Sequence, residues 1–279
     1  MNPIRRVLLA LDPAAPRMEV FDAIAALVDP ASVEVTGLFV EDDALLRLSS
    51  LPFAVEIRRG GLPRALNAAT LQAQLEERAR TMRAAFEDAA RSRHLRARFT
   101  VTRGEVVAEL LRAAAEADVL VIGRSFRTAG TRTWLGAALE RLGAPTPHGA
   151  APPQETGTAG AVRTSLLLVH EPWAEGSRVL LLDDGSAAGA AARERAEELA
   201  RGEDLALEVR RLAGEPEGAP PLLPPGAEHS PARGLAALRE LCRRLDVRVL
   251  VLPDTPALHA AVDVPTLVRD LPASVILAR

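Results

Sequence analysis

The sequence predicts an α/β protein built as two doubly wound parallel-sheet domains in tandem, the second a shortened copy of the first. Three observations carry this. The run Arg6-Val7-Leu8-Leu9-Ala10-Leu11-Asp12 returns as Arg178-Val179-Leu180-Leu181-Leu182-Asp183-Asp184. A second echo closes each half: Leu110-Leu111-Arg112 leads into Ala117-Asp118-Val119-Leu120-Val121-Ile122-Gly123, and Leu238-Arg239-Glu240-Leu241 leads into Leu245-Asp246-Val247-Arg248-Val249-Leu250-Val251-Leu252. Apolar runs of strand length alternate with segments of helical spacing, the pattern of βαβ units whose parallel strands are covered on both faces. A repeat of this kind states an architecture that composition alone cannot give.

The elements follow in order. Residues 7–11 form a short apolar run, read as a buried strand that Asp12-Pro13 ends. Residues 17–28 have helical spacing, with Val20, Ile24 and Leu27 on one side, and the β-branched run 33–40 is the second strand. Residues 41–67 hold Pro52, Gly60, Gly61 and Pro63 and read as irregular. They also hold Leu45, Leu46, Leu48, Leu51, Phe53, Val55 and Ile57, enough apolar surface to dock on the sheet edge or on a partner, so this stretch is expected to be ordered and protected. A long helix covers about 70–93, charged on one face with Leu71, Leu75, Met82 and Phe86 on another. Strand 96–101, helix 104–115, strand 119–123, a short helix at 134–142 and a closing strand at 165–170 complete the first half. Five strands and four helices suit a flavodoxin-sized doubly wound sheet. Residues 143–161, rich in Ala, Pro, Gly and Thr, read as a mobile excursion.

The second half reads as strand 179–182, helix 186–201, strand 205–212, loop 214–227, helix 232–244, strand 247–252, a short helix at 264–271 and a last strand at 274–278. The loop carries five prolines and three glycines where the first half has its long helix, so one helix-strand crossover is missing. The boundary is placed between 1–172 and 173–279. Each half is expected to cover the other's closing strand, so that the two pack as an internal pseudo-dimer.

Composition narrows the chemistry. With 48% hydrophobic and 25% charged residues the 279-residue chain is expected to be globular and long enough for two cores. A formal net charge of −3 gives no electrostatic reason to expect nucleic acid or an anionic membrane as partner. No apolar run approaches the roughly 20 residues of a spanning helix, and the N-terminal run is too short for a signal-peptide core. A single cysteine, Cys242, excludes an internal disulfide, and the cytoplasm is the expected compartment. All formal positive charge is arginine. The absence of lysine removes a Walker-type phosphate lysine and any Schiff-base mechanism.

The strand-then-Asp start, the segment Val33-Glu34-Val35-Thr36-Gly37-Leu38-Phe39-Val40-Glu41-Asp42, the run ending at Gly123 and the stretch Trp134-Leu135-Gly136-Ala137-Ala138-Leu139-Glu140-Arg141-Leu142 together resemble the universal stress protein family of tandem type, with its adenine-nucleotide alpha-hydrolase-like domains. The resemblance covers most of the chain, best over 4–142 and thinner over 176–279. It implies a nucleotide motif of Gly, two residues, Gly, nine residues, Gly, then Ser or Thr. Glycines in such a motif let backbone N–H groups approach the phosphates, and a helix N-terminus adds its dipole. Gly123 and Gly136 match the first and third glycines. Phe126 falls where the second belongs, and Ala137 where the hydroxyl belongs. The family's other contacts fall on Asp12 and Val40. In the second half Pro253-Asp254-Thr255-Pro256 follows the equivalent strand, and proline makes a poor phosphate nest.

Other constellations carry less. Gly185-Ser186-Ala187-Ala188-Gly189 lacks the first glycine of a dinucleotide fingerprint, and Ser186 reads as an ordinary helix N-cap. The five histidines are not spaced as a metal pair on one element, and Cys242 reads as a small core residue. Glu41-Asp42-Asp43 sits at a carboxyl edge but reads as a solvated loop start, and turn chemistry explains Asp183-Asp184. Arg78, Arg80 and Arg83 alternate with Glu76, Glu77, Glu87 and Asp88 as an exposed, salt-bridged helix face rather than a nucleic-acid stripe. The expectation is a non-catalytic stress-response protein with no metal, no catalytic residue and a degenerate nucleotide site at Asp12, Val40, Gly123, Gly136 and Ala137. Weakly held ATP or AMP is the one cofactor left open. The alternative is an ATP-binding protein with slow hydrolysis, and a homodimer of the tandem chain is open as well.

Overall fold

The computed structural model describes residues 4–12, 18–51, 53–56, 61, 64–123, 164–170, 173, 176–212, 222, 231–262, 264, 266–267, 271 and 273–279. In chain order the first half holds β1 (Arg6–Ala10), α1 (Val20–Leu27), β2 (Glu34–Asp42), α2 (Asp43–Ser49), β3 (Val55–Glu56), β4 (Arg64–Ala65), α3 (Ala68–Ser92), β5 (Arg96–Gly104), α4 (Val106–Ala114), β6 (Val119–Gly123) and β7 (Ser165–Val169). The second half holds β8 (Arg178–Asp183), α5 (Ala187–Gly202), β9 (Ala206–Arg211), α6 (Pro231–Leu245), β10 (Val247–Pro253), α7 (Pro256–Ala261) and β11 (Ser274–Ala278).

Nine strands form one sheet in the order β5-β2-β1-β6-β7-β11-β10-β8-β9. Within each half every neighbouring pair is parallel. The seam is different: β7 and β11 pair antiparallel, with Leu166, Leu167 and Leu168 opposite Leu277, Ile276 and Val275. The order reads the same outward from the seam on both sides, so β7, β6, β1 and β2 correspond to β11, β10, β8 and β9, and β5 is left without a counterpart. An antiparallel seam also reverses strand direction, so the carboxyl edges of the two halves lie on opposite edges of the sheet.

Period-two alternation divides the core into two layers, one per face. Leu8 and Ala10 of β1 share a layer with Leu180 and Leu182 of β8 and Leu250 and Leu252 of β10. Val7 and Leu9 share the other with Val179, Leu181, Val249 and Val251. Both layers run across the seam. On the second face α1 packs beside α5, and Phe86 of α3 seats against β2 because position 37 is glycine. A Cβ there would lie 2.6 Å from the Phe86 ring.

Two segments differ from the sequence reading. Within 41–67 the described residues are not all irregular: they contain α2 and the antiparallel pair β3–β4. Asp42 starts α2 by accepting a hydrogen bond from Ala44 N at 2.8 Å, a cap signal that the nearby Pro and Gly residues obscure. Of its described apolar side chains Leu45 and Leu46 are half-buried, whereas Leu48, Leu51, Phe53 and Val55 stand exposed rather than protected. The second difference is α7, which begins at Thr255-Pro256 where the sequence reads as loop. The Thr255 side chain accepts from Leu258 N, and Pro256 occupies the first helical turn, where its missing N–H costs nothing. The expected helix at 134–142, the stretch 143–161 and all of the loop 214–227 except Leu222 lie outside the described residues.

Candidate functional site

Open α/β sheets bind ligands outside the carboxyl ends of their strands, where the strand order reverses. Each half has one such point, between β1 and β6 in the first and between β8 and β10 in the second.

At the first, Ala10 stands opposite Leu38 of β2 and Ile122 of β6. Continuing the register one and two residues puts Gly123 level with Leu11 and Val40 level with Asp12. Leu11 N donates to Leu38 O at 3.0 Å and so keeps that register past the end of β1. Asp12, Val40 and Gly123 therefore gather at one edge. Asp12 is 8% exposed and Val40 5% exposed, and Asp12 is engaged within the fold. Gly136 and Ala137, with Phe126, lie outside the described residues. Glu41 of the neighbouring acidic triplet is not a solvated loop residue. It is buried and accepts from Arg103 Nε and a terminal guanidinium nitrogen at 3.1 and 2.9 Å.

The second switch point is closed by its own side chains. The repeat aligns Asp184 with Asp12, and the strand register then aligns Pro253 with Gly123. Asp184 Oδ1 accepts from Ser186 N at 3.0 Å and Ser186 Oγ at 2.6 Å, and Oδ2 accepts from Thr255 Oγ1 at 2.6 Å. Ser186 Oγ in turn accepts from Gly189 N at 2.9 Å, the helix cap that the sequence predicts for α5. Asp183 accepts from Gly185 N at 2.9 Å and pairs with Arg193. Gly189 is required here: a Cβ would stand 2.6 Å from Asp184 Oδ1 and 2.9 Å from Asp183 Oδ1. On the β10 side Asp254 Oδ1 meets His259 Nε2 at 2.8 Å and Oδ2 accepts from Arg279 Nε at 2.5 Å.

Burial opposes the charge on each of these carboxyls, and in each the partners outweigh it. The Gly185 N–H and Arg193 hold Asp183 below the ordinary carboxylate range. Ser186 and Thr255 do so for Asp184, and His259 with Arg279 for Asp254. Three carboxylates thus lie where a phosphate-binding protein presents N–H groups, and two of them occupy the positive end of α5. Sequence reasoning accounts for Ser186 and for the turn at Asp183-Asp184. It misses Thr255, His259 and Arg279, whose partners are distant in sequence. The Thr-Pro start of α7 is the one local signal that points to this half of the network.

Among the described residues no group of three His, Cys, Asp or Glu side chains could hold a metal ion, and no described helix is long and apolar enough to cross a membrane. Cys242 is buried, and burial pushes its thiol up to about 12. A cleft of about 720 Å³ lies at the amino-terminal edge of the first half, between Arg5, Arg6, Arg96 and Asp118. It is on the edge opposite the first switch point, and Asp118 there accepts the backbone N–H groups of Arg5 and Arg6 at 2.8 and 2.9 Å.

No family model matches the chain, and no curated protein matches it in sequence. Solved structures do. A universal stress protein from Archaeoglobus fulgidus DSM 4304 superposes with a TM-score of 0.60 at 12% identity, over 98% of this chain and 96% of its own. A Pseudomonas aeruginosa UCBPP-PA14 protein provisionally named a universal stress protein follows at 0.53 and 11% identity, over 99% and 93%. A functionally unknown protein from Pseudomonas aeruginosa PAO1 gives 0.50 and 12%, over 99% and 92%. At these identities the likeness establishes the fold: this chain has the fold of universal stress proteins over nearly its full length.

Proposed function

We propose that this protein performs no chemistry of its own and acts in the cytoplasm as a stress-response or regulatory protein of the universal stress type, with degenerate nucleotide sites and no cofactor. The observation that carries this reading is the self-filled second switch point. An incoming phosphate would meet Asp183, Asp184 and Asp254 in place of free N–H donors, and Pro253 in place of a glycine. Unit like charges ~4 Å apart repel by about 4 kcal/mol at an effective dielectric of about 20. In the first half the reading rests on Phe126 and Ala137 standing where glycine and a hydroxyl are wanted.

One observation favours the alternative, an ATP-binding protein with slow hydrolysis: strand register brings Asp12, Val40 and Gly123 to one edge. Calorimetry separates the two. The degenerate-site reading expects no ATP or AMP affinity tighter than about millimolar, roughly −4 kcal/mol. Micromolar binding that disappears in Gly123→Asp would establish the alternative and overturn the proposal.

A further inference from the structure

The nine-stranded sheet ends in β5 on one side and β9 on the other, and the two edges are unlike: Arg211 O of β9 accepts from Leu222 N at 2.8 Å, whereas among the described residues no further strand pairs with β5. Every large apolar side chain that stands exposed among the described residues sits at the β5 end: Leu48, Leu51, Phe53 and Val55 in and after α2, and Val101 in β5 itself. Phe53 is 76% exposed. α2, which carries Leu48, packs beside β5 and α3, and Leu51, Phe53 and Val55 follow it directly in the chain. Exposed apolar groups scattered singly need no explanation, but their concentration at one open strand edge marks an interaction surface.

Charge usually protects such an edge, and β5 carries Arg96, Arg98 and Arg103. Each is folded back onto its own chain. Arg96 donates to Ala31 O at 3.1 Å, Arg98 pairs with Glu34 at 3.0 Å, and Arg103 forms the two bonds to buried Glu41. Two of the three charges are thus paired with carboxylates of the same chain, and all three side chains have a partner within it. The edge is also long, nine residues or ~30 Å at ~3.3 Å per residue.

The sequence of β5 says what fits it. Arg-Ala-Arg-Phe-Thr-Val-Thr-Arg-Gly is nearly self-complementary about Thr100. An antiparallel pairing with its own copy, Thr100 opposite Thr100, sets Phe99 against Val101, Arg98 against Thr102, Ala97 against Arg103 and Arg96 against Gly104. No arginine faces another, and the apolar pair falls beside the axis on the face of α3, where cross-strand pairs contribute most. The chain already closes its internal seam in this way, with β7 antiparallel to β11 of the repeated unit. We infer that the β5 edge, flanked by the α2 and β3 apolar patch, is the surface on which a second copy of this chain docks, making a two-fold dimer with an eighteen-stranded sheet.

Native mass spectrometry and sedimentation across low to high micromolar concentrations test this on the full chain, with hydrogen exchange as a local readout. A monomer–dimer equilibrium is expected, with β5 amides slowing as dimer forms. The pair Leu48→Asp and Phe53→Asp alters only exposed positions. It should weaken association roughly a hundredfold, as loss of two apolar anchors does, while leaving the melting temperature of the monomer unchanged. Register is tested separately. Directly opposed residues have Cα atoms ~4.5–5.5 Å apart, within disulfide reach, so Thr100→Cys should cross-link on oxidation and Arg96→Cys should not. Buried Cys242 does not compete. A chain that stays monomeric throughout overturns the inference. So does a dimer in which the β5 amides exchange freely, or one that Thr100→Cys links no faster than Arg96→Cys.

Discussion

Replacing Asp254 by alanine removes both acceptors that tie the end of β10 to α7 and to the last residue of the chain. The Arg279 bond is charge-assisted, a class that contributes ~1.5–3 kcal/mol net, against ~0.5–1.5 kcal/mol for an ordinary bond. The His259 side chain is 40% exposed, so water screens its contact and it belongs with the weaker class. Asp254 itself is 7% exposed at its side chain, which leaves little room for water to replace it. The sum is about 3 kcal/mol, or roughly 5–10 °C in melting temperature for a chain of this size. The sign with pH follows from the depressed carboxyl. Its stabilisation is complete above the unfolded value of about 3.9 and is lost as pH falls through the lower folded value. Urea melts of wild type and Asp254→Ala should therefore differ fully near neutrality and converge as pH is lowered from about 5 toward 2. A difference below about 1 kcal/mol near neutrality, or one that widens on acidification, refutes the reasoning.

Two further outcomes are expected. Gly234→Ala places a Cβ 2.0 Å from the backbone oxygen of Ala261; the clash is with main chain, so α6 and α7 must separate, at a cost of about 3 kcal/mol in urea unfolding. Cys242, with its thiol pushed up to about 12 by burial, should react with soluble thiol reagents only at the rate of unfolding, and fast labelling of the native protein would contradict its burial on the inner side of α6.

The strands were legible because a parallel strand covered on both faces writes itself as an uninterrupted apolar run. Val179-Leu180-Leu181-Leu182 and Val249-Leu250-Val251-Leu252 are of this kind, and all eight residues are fully buried. The repeat supplied what periodicity cannot, the correspondence of β1 with β8. The elements it did not reveal are short helices, α2 and α7, whose signal is a cap rather than a stripe. Seven and six residues hold fewer than two turns of apolar spacing, and the Pro253-Asp254-Thr255-Pro256 run at the start of α7 reads first as loop. The β7–β11 seam was legible as two closing strands, though their register depends on packing that no local pattern encodes. In the site, Gly123 comes from motif spacing and Asp12 and Val40 from the family resemblance, and the three stand at one edge. The bonds of Thr255 to Asp184 and of Arg279 to Asp254 join positions 71 and 25 residues apart, and only the folded sheet brings them within reach.

The seam bears directly on how the two switch points differ. Because β7 and β11 run antiparallel, the two crevices open on opposite edges of one sheet and cannot share a ligand, so each must be built or lost alone. In the second, Pro253 stands at the end of β10, and Asp183 and Asp184 accept the N–H groups of Gly185 and Ser186 in the turn that leads into α5. Gly189 is the residue that makes room for them, since any side chain there would meet both Asp183 and Asp184. That arrangement satisfies the Gly189 N–H of the helix start through Ser186 Oγ, without any outside anion. It joins β8, α5, β10 and α7 through Ser186 and Thr255, so the crevice that in this architecture receives a ligand here serves as a clasp between elements.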